Sequence, residues 1–179
     1  MSEIIQKQYV SPNEYQRCHW ILAKKIFDSG WKPDLMLALW RGGSAVGISV
    51  HEYCNFRGWT FMHQCVKCSS YTGIKENDGG VLFDEISEKA FNLIKPGMKV
   101  LVVDDIFDTG KTCETVKNRI TAMGAEMRMA CVYRKVGANQ TDCEVDYYVK
   151  DVDCWLVFPH ELMGLTKEEL EAKDEFFTS

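Results

Sequence analysis

The chain of 179 residues sits in the range of about 100–200 residues for one domain, and its 46% hydrophobic and 26% charged residues are ordinary globular composition. A formal net charge of -5 argues against a general polyanion binder, so no nucleic-acid partner is expected and any anionic ligand must be held locally. No apolar run reaches membrane length, and Met1–Lys7 carries no basic leader ahead of an apolar stretch, so a cytoplasmic protein with no membrane partner is expected.

Ser11-Pro12-Asn13-Glu14 is a capping box with proline at the first helical position, and Tyr15, Cys18, Leu22, Ile26 and Phe27 share one helical face. A helix over about 11–28 is predicted. Leu35–Trp40 is continuously apolar, as a strand buried on both faces requires, and it ends abruptly in Arg41-Gly42-Gly43. A helix over about 44–55 and a strand over 61–66 follow. Residues 67–80 are polar and lack either period, which predicts a long loop of the kind that often serves as a lid. Phe83, Ile86, Ala90, Leu93 and Ile94 have helical spacing.

After Lys95-Pro96-Gly97, the apolar run Val100–Val103 leads into Asp104-Asp105-Ile106-Phe107-Asp108-Thr109-Gly110-Lys111-Thr112, with a helix predicted to about Met123. Residues 127–133 and 147–152 are further strand candidates, and Thr166-x-x-Glu169 opens a charged last helix. The alternation predicts an α/β fold with a largely parallel central sheet flanked by helices. The eight cysteines are scattered singly through apolar segments, which favours reduced, buried thiols. Cys65-x-x-Cys68 lacks a second pair at zinc-site spacing.

The chemistry concentrates in residues 100–112. Adjacent carboxylates at the end of a buried strand repel each other and lose solvation unless a cation or donors compensate them. Thr109–Thr112 then offers hydroxyls and backbone N–H groups at a helix N-terminus, a phosphate-binding arrangement. The plainer reading is that Asp104 and Asp105 cap the helix while Gly110 makes the turn. A triphosphatase loop is rejected, because the glycine needed five residues before Gly110 is Asp105.

Residues 100–112 resemble the signature of the type I phosphoribosyltransferases: an apolar strand, two acidic residues, two variable residues, Asp-Thr-Gly and a hydroxyl residue two further on. Leu39–Gly43 is similar to that family's pyrophosphate loop, in which a non-proline cis peptide would fall at Trp40–Arg41. Cys68-Ser69-Ser70-Tyr71 is similar to its catalytic lid. Tyr133-Arg134-Lys135 and Trp155–Glu161 resemble the base-recognising elements of the 6-oxopurine branch, the xanthine-guanine and hypoxanthine-guanine enzymes. Trp40 departs from the small residue common in the xanthine-guanine branch, and Lys111 is more typical of the hypoxanthine-guanine branch.

The resemblance implies one phosphoribosyltransferase domain over 1–179, with a small hood over the active site built from the N-terminal region and about 150–179. It implies transfer of phosphoribosyl from phosphoribosyl pyrophosphate (PRPP) to hypoxanthine, guanine or xanthine, giving a nucleoside monophosphate and pyrophosphate in purine salvage. Asp105 and Asp104 would contact Mg2+, and Asp108 and Tyr71 would be catalytic. Arg41, Gly42, Ser70, Asp104, Asp105, Asp108, Thr109, Gly110, Lys111 and Thr112 would bind PRPP. Lys135, Trp155 and Leu156 would bind the purine. The family is generally oligomeric, so a homodimer or homotetramer is expected. The alternatives are a non-catalytic PRPP- or nucleotide-sensing regulator on the same fold, and a transferase for another base.

Overall fold

The computed structural model describes residues 7–70 and 81–174. In chain order these form β1 (Lys7–Tyr9), α1 (Pro12–Asp28), β2 (Leu35–Trp40), α2 (Gly42–Phe56), β3 (Met62–Ser70), β4 (Val81–Phe83), α3 (Glu85–Phe91), β5 (Lys99–Phe107), α4 (Lys111–Ala122), β6 (Glu126–Lys135), β7 (Lys150–Val152), β8 (Trp155–Val157) and α5 (Lys167–Lys173). Strands β3-β2-β5-β6-β7 are parallel, and β4 adds to the β3 edge antiparallel.

Strand periodicity explains why the apolar runs are continuous. Alternate residues point to opposite faces, so Leu35, Leu37 and Leu39 of β2 join Val100 and Val102 of β5 in one core. Met36, Leu101 and Val103 join the other. The first core is closed by Phe91 of α3 with Val116 and Ile120 of α4. The second is closed by Leu22 and Ile26 of α1 and Val46 and Val50 of α2. Each fully buried leucine contributes about 1.5–3 kcal/mol, which explains why β2 and the Val100–Val103 stretch of β5 are apolar on both faces.

The chain runs from β2 outward to β3, then from β5 outward the other way to β6. Between β2 and β5 the winding direction therefore reverses, and the loops after their carboxyl ends splay apart. In open α/β sheets this is where ligands bind. A two-stranded parallel sheet, β1 with β8, lies outside the main sheet, and the Lys7–Glu169 ion pair at 2.7 Å ties α5 to β1.

Several local expectations are corrected. α2 begins at Gly42 rather than 44, so the two glycines form its first turn. Lys67–Ser70, expected as loop, continue β3, Lys67 opposite Trp40 of β2 and Cys68–Ser70 paired with β4; an edge ladder formed by polar residues has no apolar period to read. Phe83 belongs to β4, and α3 starts only after its N-cap Asp84, whose carboxylate accepts from Ser87 N at 2.8 Å. Only Tyr147 makes an isolated bridge before β7 starts at Lys150. Cys65 is exposed and Cys68 half-buried; three positions apart on one strand, they face opposite sides of it.

His19 of α1 is buried, its Nδ1 3.2 Å from Ser49 Oγ and its ring 4.1 Å from that of Tyr15. Burial, aided by nearby His160, pushes its pKa down from 6.5 to about 4. With a depressed folded pKa, the unfolded chain takes up the proton first, so stability held above pH 6.5 is lost as pH falls toward 4. The drop in unfolding midpoint between pH 7 and pH 5 is expected to shrink in His19→Phe, as followed by calorimetry; an unchanged drop contradicts this origin.

Candidate active site

Two polar cavities lie at the carboxyl ends of β2 and β5. The first, about 220 Å3, is lined by Trp40, Arg41, Gly42, Asp105, His160 and Glu161 among others. The second, about 90 Å3, is lined by Asp108, Thr109, Gly110, Thr112 and Cys113 among others, and Asp104 borders both.

The acidic pair is set against the start of α2, not α4. Asp104 Oδ1 accepts from the N–H of Asp105 at 2.9 Å, and Gly43 packs against the same stretch of β5: a Cβ on it would fall 3.0 Å from Asp104 Cα. Asp105 Oδ1 accepts from Ile106 N at 2.8 Å. Gly42 is required for this contact: a Cβ there would fall 1.8 Å from Asp105 Oδ2. The capping reading of the pair is thus not the observed one. The N-cap of α4 is Gly110, with no side-chain cap, so its first N–H groups lack a side-chain partner at a helix start whose Gly110, Thr112 and Cys113 border the smaller cavity.

Gly110 has φ of 81°, and a Cβ on it would meet Thr141 Oγ1 at 2.4 Å and Asn139 Oδ1 at 2.5 Å. Gln140 N donates to Thr109 O at 2.9 Å. The 139–141 turn therefore buttresses the loop, a role that nothing in the local sequence marks. Lys111 is exposed and does not line the smaller cavity.

Burial, and then the neighbouring Asp105 charge, raise the Asp104 pKa well above the usual carboxylate range; burial raises that of Asp105 as well. A raised folded pKa means stability is fullest below the unfolded value and is lost as pH rises. Asp104→Asn is therefore expected to stabilise the protein at pH 7 by about 1 kcal/mol, a rise of about 2–4 °C in midpoint, with the gain shrinking toward pH 4. Calorimetry at both pH values checks this; a lower midpoint at pH 7 contradicts it.

At the far side of the motif, Lys135 Nζ at the end of β6 lies 3.4 Å from both Asp108 carboxylate oxygens and 5.6 Å from the centre of the Trp155 ring. Trp155 is 51% exposed, a placement unlike that of a core aromatic. Leu156 is different: its side chain is buried in the core with Val10, Tyr15 and Phe158, so a purine contact by that side chain is not what the structure places there. The Trp40–Arg41 peptide is cis. Ser70 ends β3, and Tyr71 lies outside the described residues. Among the described residues no three histidine, cysteine or acidic side chains are grouped to hold a metal, and no helix is long and apolar enough to cross a membrane.

A sheet reversing between β2 and β5, with an acidic pair and an uncapped helix start at that point, defines the phosphoribosyl transferase domain family, and the chain belongs to it: the family matches residues 6–163. It is similar to the xanthine-guanine phosphoribosyltransferase of Idiomarina loihiensis, with 27% identity over 129 residues, 71% of this chain and 70% of that one. It is also similar to HGPRTase-like protein 1 of Haloquadratum walsbyi, with 35% identity over 86 residues, 48% of this chain but only 40% of that protein. Both names belong to the 6-oxopurine branch.

Among solved structures, the purine phosphoribosyltransferase of Pyrococcus horikoshii superposes with a TM-score of 0.70 at 27% identity, over 90% of this chain and 98% of that one. A Neisseria gonorrhoeae protein crystallised with ppGpp shares the fold at a TM-score of 0.76 and 19% identity, over 97% and 99% of the two chains.

Proposed function

We propose that the protein transfers phosphoribosyl from PRPP to a 6-oxopurine, releasing pyrophosphate and a nucleoside monophosphate in purine salvage. The observation that carries this reading is the convergence of Asp108, Lys135 and Trp155 beside the phosphate-sized cavity of Thr109–Thr112. In this reading the N–H groups and hydroxyls of 109–112 grip the sugar's distal phosphate, fixing the ring and turning remote binding energy into positioning. Arg41 and Gly42 hold the departing diphosphate in the larger cavity.

Asp108 faces the purine's imidazole edge and takes or shares its proton, which needs hydrogen-bond reach more than an unusual pKa. Lys135 donates to the exocyclic oxygen and Trp155 offers its exposed face for stacking. Ser70 and Tyr71 would exclude water from the reacting carbon. The half-buried acidic pair at the cavity wall suits Mg2+, which is commonly held by one or two carboxylates with substrate oxygens and water completing its shell; Asp105 and Asp104 would hold it, and it would neutralise charge on the diphosphate. We also propose a homodimer or homotetramer in the cytoplasm, as the family resemblance implies; of Trp59, Phe61 and Met62, apolar candidates for a subunit contact, Trp59 and Phe61 pack against the core and Met62 is exposed.

A site whose lysine donates to an exocyclic oxygen leaves buried partners unpaired against adenine's amine, and such mismatches discriminate strongly. With PRPP and Mg2+, chromatography of the products is expected to show the monophosphate of at least one of hypoxanthine, guanine and xanthine, with adenine left largely unconverted. Equal conversion of adenine contradicts the assigned base specificity.

A further inference from the structure

The turn after β8 ends over Asp105. His160 Nε2 stands 3.7 Å from Asp105 Oδ2, and both residues line the larger cavity. The imidazole is held from behind by its stack on Phe158, 5.6 Å between centres and 7° between planes, with the Tyr15 ring 6.0 Å away. Phe158 and Tyr15 are both core residues.

The turn itself is tied down. Lys173 Nζ donates to the carbonyl oxygens of Phe158 at 2.7 Å and Glu161 at 2.5 Å, and Glu161 Oε2 accepts from Phe158 N at 3.0 Å. Lys173 sits at the end of α5, which the Lys7–Glu169 pair fastens to β1. The placement of His160 is thus set by packing and hydrogen bonds rather than by the free choice of a surface rotamer.

We infer that His160 is a positioning residue for Asp105: at 3.7 Å its ring bounds the Oδ2 side of the carboxylate, beyond hydrogen-bond length, while the Ile106 N–H holds Oδ1. A carboxylate fixed at one oxygen can still turn about its last torsion, which is broad for aspartate. A second contact on the other oxygen limits that turn before PRPP and a divalent ion arrive. Groups that orient a metal-binding side chain are typically worth about 10- to 100-fold in metal affinity or activity. This inference rests on the proposed PRPP function and deepens it.

The test is PRPP-dependent binding of Mn2+, used as a paramagnetic probe and followed by electron paramagnetic resonance, in wild type, His160→Phe, His160→Gln and Lys173→Met. Phenylalanine keeps a ring on Phe158 and removes the nitrogen, and is expected to weaken Mn2+ binding about tenfold. Glutamine, which restores an N–H donor, recovers part of that loss. Lys173→Met, away from the cavity, frees the turn and shifts binding in the same direction, so the test stands even where His160→Phe folds poorly. In steady state the KM for PRPP rises while the KM for the base holds, a split that general loosening of the fold would not produce. Wild-type binding in both His160→Phe and Lys173→Met overturns the inference alone. Failure of the wild-type protein to bind Mn2+ with PRPP overturns the proposed function, and the inference with it.

Discussion

Asp108→Asn is expected to lower kcat by about 100- to 10,000-fold, with a much smaller change in the affinity for PRPP. Asparagine has the same shape and still accepts a hydrogen bond from Lys135, 3.4 Å away in the native pair, but it has no basic oxygen to receive a proton from the purine. Stability is expected to hold, because the carboxylate is 43% exposed and exposed ion pairs contribute little. Steady-state kinetics beside a thermal melt separates these effects. Near-native kcat in a folded Asp108→Asn protein would show that Asp108 is not the proton acceptor.

The second large effect is expected from a methyl group. In Gly42→Ala the new Cβ falls 1.8 Å from Asp105 Oδ2 and 2.1 Å from its Cγ, so the carboxylate must swing away from α2. The side chain is short, and its other oxygen is held by Ile106 N, so the swing breaks an existing hydrogen bond. Misplacing a catalytic or binding group by about 1 Å can cost about 100-fold, and a loss of that order in Mg2+-dependent PRPP binding is expected by calorimetry. The fold should persist, because the clash is with one side chain at a cavity wall. Native affinity for PRPP and Mg2+ in this variant would remove Asp105 from the metal site.

Which parts of this site are legible in the sequence follows from where the determining contacts lie. The β5–α4 unit is local: an apolar run, a cluster of polar residues and a helical stretch follow one another, so neighbouring residues alone put Asp104 to Thr112 at a strand end. The strand character of Lys67–Ser70 is hidden, because it depends on pairing with Val81–Phe83 across the intervening segment. The parallel pairing of β1 with β8, Lys7 opposite Trp155, joins residues far apart in the chain and leaves no periodic trace in either three-residue strand. That pairing brings His160 to Asp105 and exposes Trp155 to Lys135. Leu156 reads with Trp155 as one element, yet the pleat sends its side chain to the core. The support of Gly110 by Asn139 and Thr141 is equally silent, since asparagine and threonine in a polar turn are ordinary composition.

The assignment of an enzyme rather than a sensor is tested most directly by pyrophosphate release from PRPP and Mg2+, measured without base and with hypoxanthine, guanine, xanthine and adenine in turn. The expected result is release that depends on a 6-oxopurine and is close to background without one. Tight Mg2+-dependent binding of PRPP with no release in the presence of any base would contradict catalysis and identify the site as a sensor of its ligand.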